Sequence, residues 1–144
     1  FRSYGTDIEN KNGLDIALCA ININTKELAY SGAFNPLLLF RKDELLEYKA
    51  TRVPISYYPV EKEFESIFIQ LEENDVIYLF SDGYQDQLGG ENEKKFSKRN
   101  FYKLLHEIHK NSMSEQKEHL EKRMDKWIGS HPQVDDITVM GIKF

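Results

Sequence analysis

From Leu14 to Ile23 the chain reads LDIALCAINI, apolar on both alternating faces. That pattern predicts a strand covered on both sides, a central one. A polar turn at 24–27, NTKE, leads into LAYSG, and PLLLFRKDELLEYK then holds two apolar stretches divided by Arg41–Glu44. These segments read as consecutive hairpins. Between Lys49 and Glu63, Pro54 and Pro59 stand among charges and tyrosines. An irregular loop is expected there, because proline removes a ladder donor and restricts its predecessor. Alternation resumes in FESIFIQL, where Ile67, Ile69 and Leu71 share a face; EEND interrupts it and VIYLF follows. This predicts a further hairpin ending directly before Ser81.

The period then changes. Phe101, Leu104, Leu105 and Ile108 follow the i, i+3, i+4, i+7 spacing of one helical face. Ser112 to Glu115 has capping-box spacing. Met113, Leu120, Met124 and Trp127 line one side of a second helix, which Gly129 and Pro132 end and to which Glu118 and Lys122 add an i, i+4 pair. The last segment, DITVMGIKF, alternates again and closes as a strand. Runs of strands, two helices and a final strand predict an α+β fold, a sheet with helices packed on it.

With 144 residues, 40% of them hydrophobic, the chain is expected to form one domain over 1–144. A net charge of −5 provides no basic field for nucleic acid, so a nucleic-acid partner is not expected. The single cysteine, Cys19, has no disulfide partner within the chain and sits in an apolar run, which reads as a small hydrophobe in a reducing, cytoplasmic setting. The longest apolar runs, IALCAI and PLLLF, are too short for a helix to cross a bilayer, so this segment is not expected to be membrane-embedded. The chain starts at Phe1 with the polar FRSYGTDIENKNG, which reads as part of a longer protein, incomplete at the N-terminus.

Candidate chemistry gathers at two predicted strand ends. In YLFSDGYQDQLGG, Asp82 follows the last apolar residue of a strand, and Gly83 allows a left-handed turn. A plain Asp-Gly turn accounts for the same tripeptide. In QVDDITV, Asp135 and Asp136 directly precede the last strand. Adjacent carboxylates repel unless a cation or hydrogen-bond donors compensate them; two solvated aspartates in a turn are the other reading. Lys94, Lys95, Lys98 and Arg99 form a basic run, either a solvated loop or a docking patch for a phosphoprotein. His106, His109, His119 and His131 lack the carboxylate or cysteine that would complete a metal set and read as surface residues. Asn35 and Pro36 read as a turn between strands, and Trp127 as packing.

YLFSDGYQDQLGG, VDDITVMGI and the upstream LDIALCAIN…ELAYSGAFNPLLL together resemble the C-terminal two-thirds of metal-dependent PPM-type serine/threonine phosphatases, in the bacterial branch similar to the sporulation phosphatase SpoIIE. The resemblance implies a β-sandwich flanked by helices, with two Mn²⁺ or Mg²⁺ ions held by aspartates at one end. By motif it makes Asp82 and Asp135 metal ligands, Asp136 a supporting hydrogen-bond acceptor and Gly83 the turn residue. Hard divalent cations take carboxylate and water oxygens, and two of them activate a water for attack on phosphorus, so no protein nucleophile is needed. The implied partner is a phosphorylated regulatory protein in bacterial signalling, and the parent would carry sensory domains or a membrane attachment.

The family's earlier motif, a bridging aspartate followed by a Gly- and His-bearing stretch, is missing. Asp7 and Asp15 are the upstream carboxylates, neither in a comparable Gly-rich setting, and Ser56 replaces a frequent glycine of the branch. An isolated chain that is inactive is therefore expected. The alternatives are a non-catalytic regulatory or protein-binding module of the same fold, and an unrelated hydrolase in which Asp86 also ligates.

Overall fold

The alternating stretch near the start forms β1 (Ile16–Asn22), which returns as β2 (Glu27–Ala33) with Ile16 opposite Ala33. The computed structural model describes residues 13–55 and 63–144. Asp7, Ser56 and Pro59 lie outside them. Asn22 shapes the first turn, its Oδ1 accepting from the Asn24 and Thr25 amides. β3 (Leu37–Arg41) and β4 (Glu44–Tyr48) make a second hairpin, closed by Lys42 and Asp43, both at positive φ. Two such residues match the right-handed twist of the strands they join.

β5 (Ile67–Gln70) and β6 (Val76–Phe80) follow, then the short α1 (Gly83–Asp86) and the paired β7 (Leu88–Gly89) and β8 (Lys94–Lys95). α2 (Lys98–Ile108), α3 (Met113–Ile128) and β9 (Val139–Lys143) complete the order. Two larger sheets result, β1-β2-β5 and β4-β3-β6-β9.

Two expectations about strands fail. β5 and β6 are not a hairpin: β5 pairs with β2, whereas β6 lies between β3 and β9. Residues 71–75 instead carry the chain from one sheet to the other. Asp75, only 1% exposed, anchors that crossing, accepting from Arg41 Nε (3.0 Å), Arg41 Nη2 (2.6 Å) and the Glu72 amide (2.8 Å). Among the described residues β1 lies at the edge of its sheet, not at its centre. Ala17, Cys19 and Ile21 pack toward the other sheet, but on the outer face Leu18 is 62% exposed, and Phe68 of β5, on the far side of β2, is 81% exposed. Alternation reports which side chains are apolar; what covers them is decided by the path of the rest of the chain.

β3 and β6 bury both faces, which is why they read as LLLF and VIYLF. Leu37, Leu39 and Ile77 meet Leu28, Tyr30 and Ile69 between the sheets. Burial there pushes the Cys19 thiol up to about 11, consistent with an unreactive small hydrophobe. On the opposite face Leu38, Phe40, Tyr78 and Phe80 pack against Phe101, Leu105, Ile108 and Met124 of α2 and α3. Full burial of each such side chain is worth about 1.5–3 kcal/mol. The result is a sandwich with a helical layer on its four-stranded side, the α+β arrangement expected from the sequence.

α3 starts where the sequence places its cap, and α2 starts at a cap that the periodicity did not single out. Ser97 accepts from the Asn100 amide, and Ser112 and Glu115 form a complete capping box. His109 corrects the reading of all four histidines as surface residues. It is 7% exposed and stacked on Phe40 with ring centroids 4.6 Å apart, because it continues the buried face of α2 onto β3.

Candidate metal centre

β6 and β9 lie side by side and antiparallel, Phe80 opposite Val139. Residues leaving β6 therefore meet residues entering β9 at one end of the sheet. Ser81 extends this contact beyond the strands. Its amide donates to Thr138 O (3.0 Å), its Oγ donates to Asp136 O (2.8 Å), and the Thr138 amide donates back to Oγ (3.0 Å).

Asp82 comes next and opens α1, its carbonyl accepting from the Asp86 amide (2.9 Å) while its carboxylate makes no capping bond. Gly83 is buried flat against the second acidic motif. A Cβ there would lie 2.9 Å from the Asp136 carbonyl carbon and 3.3 Å from the Ile137 nitrogen, and closer still to the carbonyl oxygen. Its role differs from the expected left-handed turn: Gly83 is helical, and the absence of a side chain lets two backbones touch.

Asp135 Oδ1 accepts from the Asp136 amide (2.7 Å), and both residues are exposed. Among the described residues no lysine, arginine or histidine pairs with Asp82, Asp135 or Asp136, and the carboxylates of Asp82 and Asp136 accept no hydrogen bond. Asp15, just ahead of β1, belongs to the same electrostatic neighbourhood. Burial, and then the charge of Asp82, raise its carboxyl above the ordinary aspartate value. The sequence offers Asp15 only as an upstream carboxylate; its coupling to Asp82 is a product of the fold.

Exposed, unneutralised carboxylates at one sheet end have the donor chemistry of a Mg²⁺ or Mn²⁺ site. Their number falls short. Among the described residues no three His, Cys, Asp or Glu side chains are grouped closely enough to hold an ion. The donor type fits such an ion, and the set is partial.

The other candidates separate from this end. Asp86 is paired with Lys95 Nζ (2.8 Å) in a surface ion pair, which an unrelated hydrolase with Asp86 as a ligand would have to break. Lys98 pairs with Glu47 (2.7 Å), so two of the four basic residues at 94–99 are already neutralised. Asn35 serves the turn, its carbonyl accepting from Tyr30 Oη (2.7 Å). Gln87 was missed by sequence reasoning: it is fully buried beside α1 and hydrogen-bonded to the segment before Asp135. No local pattern marks a glutamine in a polar run as buried.

Residues 3–144 match the family described as stage II sporulation protein E (SpoIIE). The chain belongs to the SpoIIE family. Among solved structures it is similar to the SiaA-PP2C domain of Pseudomonas aeruginosa, with 30% identity, a TM-score of 0.81, and coverage of 90% of this chain and 51% of that one. It also resembles the phosphatase domain of the cell fate determinant SpoIIE from Bacillus subtilis, at 18% identity and TM-score 0.65, over 90% of this chain and 57% of that one. A form of that domain presoaked with Mn matches at 16% identity and TM-score 0.63, covering 90% and 56%. A search of curated proteins finds no match. The fold is that of PP2C-like, or PPM, phosphatase domains, and the chain spans about half the length of the solved domains it matches. No helix among the described residues is long and apolar enough to cross a membrane.

Proposed function

We propose that residues 1–144 are a single unit, the C-terminal portion of a metal-dependent phosphoprotein phosphatase domain acting on phosphoserine or phosphothreonine in bacterial signalling. The observation that carries this reading is the abutment of the Asp82 turn on the Asp135–Asp136 segment, in a chain of the SpoIIE family. Asp82 and Asp135 would hold the ions, and Asp136 would accept hydrogen bonds beside them. Bound Mn²⁺ or Mg²⁺ would supply water activation and stabilisation of phosphoryl charge. Ser81 and Gly83 keep the two acidic segments in register, and no side chain of this chain acts as nucleophile. The partner is a phosphorylated regulatory protein met in the cytoplasm, and the parent carries sensor domains or a membrane attachment.

A further part of this reading is that the bridging carboxylate comes from outside this chain, which is inactive alone; among the described residues the donor set is partial. The same observation favours a second reading, a non-catalytic binding module of this fold. Mn²⁺-dependent hydrolysis of a generic phosphate ester separates these readings. The chain alone should show no turnover, and the parent protein should show turnover abolished by Asp82→Ala. Robust turnover by the chain alone would refute the requirement for an outside carboxylate; an inert parent would favour the binding module.

A further inference from the structure

The segment 129–138, which delivers Asp135 and Asp136 to the site, has no helix or strand of its own. Its position must come from other bonds. At its far end Ser81 takes both Asp136 and Thr138, as described above. At its near end Gln87 does the equivalent: Nε2 donates to Pro132 O (2.9 Å) and to Leu88 O (2.9 Å), and Oε1 accepts from the Val134 amide (3.2 Å).

Gln87 is itself fixed. Its amide donates to Gly83 O (3.0 Å), and its carbonyl accepts from the Phe96 amide (2.9 Å) and from Trp127 Nε1 (3.0 Å). Every polar group of a fully buried residue is thus used, and the side chain's long-range bonds all go to the acidic segment. Ser81 and Gln87 flank Asp82 in sequence, and the residues they grip flank Asp135–Asp136. One motif clips the other on both sides of the carboxylates.

We infer that Gln87 is a positioning residue, setting where Asp135 and Asp136 stand relative to Asp82. In its metal-binding consequence this rests on the function proposed above. Supporting residues of this kind typically change metal affinity 10–100-fold when removed. Packing alone would be served equally well by an apolar side chain of the same length.

The test compares the full 144-residue chain with Gln87→Met, which keeps the volume and loses the hydrogen bonds. Val134→Pro, at an exposed position, removes one of those bonds from the other side and serves if Gln87→Met does not fold. Amide hydrogen exchange should accelerate about tenfold or more at Thr138 in either variant, and at Val134 in Gln87→Met, while β3 and β6 amides stay protected. Titration with Mn²⁺, read as paramagnetic broadening of the Asp82 and Asp136 amides, should need roughly 10–100-fold more metal. Unchanged exchange at Thr138 would overturn the proposal, as would faster exchange with an unchanged Mn²⁺ midpoint. If the wild-type chain shows no broadening at either motif, as its partial donor set allows, exchange alone decides: unchanged exchange at Thr138 and Val134 in Gln87→Met overturns the positioning role, and faster exchange at both supports it.

Discussion

Replacing Gly83 with alanine adds one methyl group where the two acidic motifs touch. The new Cβ would sit 2.9 Å from the Asp136 carbonyl carbon and 3.3 Å from the Ile137 nitrogen, both backbone atoms that cannot swing aside. Overpacking of this kind costs about 1–3 kcal/mol, and backbone on both sides places the site toward the upper end. Alanine in a helix returns at most about 1 kcal/mol relative to glycine. The expected net loss is about 1–2 kcal/mol, which for a chain of this size lowers Tm by roughly 3–8 °C. Urea and thermal unfolding followed by circular dichroism measure it. A variant as stable as the wild type, or more stable, would show that helix propensity outweighs the contact and that the two motifs are not held together at Gly83.

Asp82→Asn should lower the pKa of Asp15, leaving only the rise due to burial; a carboxyl titration by NMR that does not move downward would refute the coupling. Because the Asp15 pKa is raised on folding, its contribution to stability is present below the unfolded value and lost as pH rises through the folded one, so the variant should show a shallower loss over that window. Arg41→Ala should cost about 3–5 kcal/mol in urea unfolding, since it strands the buried Asp75 carboxylate, and a loss under about 1 kcal/mol would contradict that role. Tyr78→Phe removes the donor to the buried Gln116 Oε1 and should cost about 1–3 kcal/mol, whereas a neutral result would mean that water replaces the hydroxyl.

Helical periodicity at 101–108, the Ser112–Glu115 box and the short apolar run VIYLF all encode local conformation, and each appears where the sequence places it. These signals are local because 3.6- and 2-residue repeats follow from backbone geometry within one element. The two acidic motifs were legible as well, as carboxylates at predicted strand ends. Pairing was not. Nothing near residues 67–80 distinguishes a hairpin from a crossing between sheets, since the choice depends on β2 and β3, which arrive from elsewhere in the chain. His109 looks polar until Phe40 lies under it, and Gln87 looks like a solvated glutamine until Pro132 and Val134 close over it. Residue types and local periodicity thus determined the elements and the chemistry that this chain can offer. Only the tertiary path decided which carboxylates share an end, why Gly83 cannot carry a side chain, and what holds Asp135 in place, because those depend on contacts between residues some fifty positions apart.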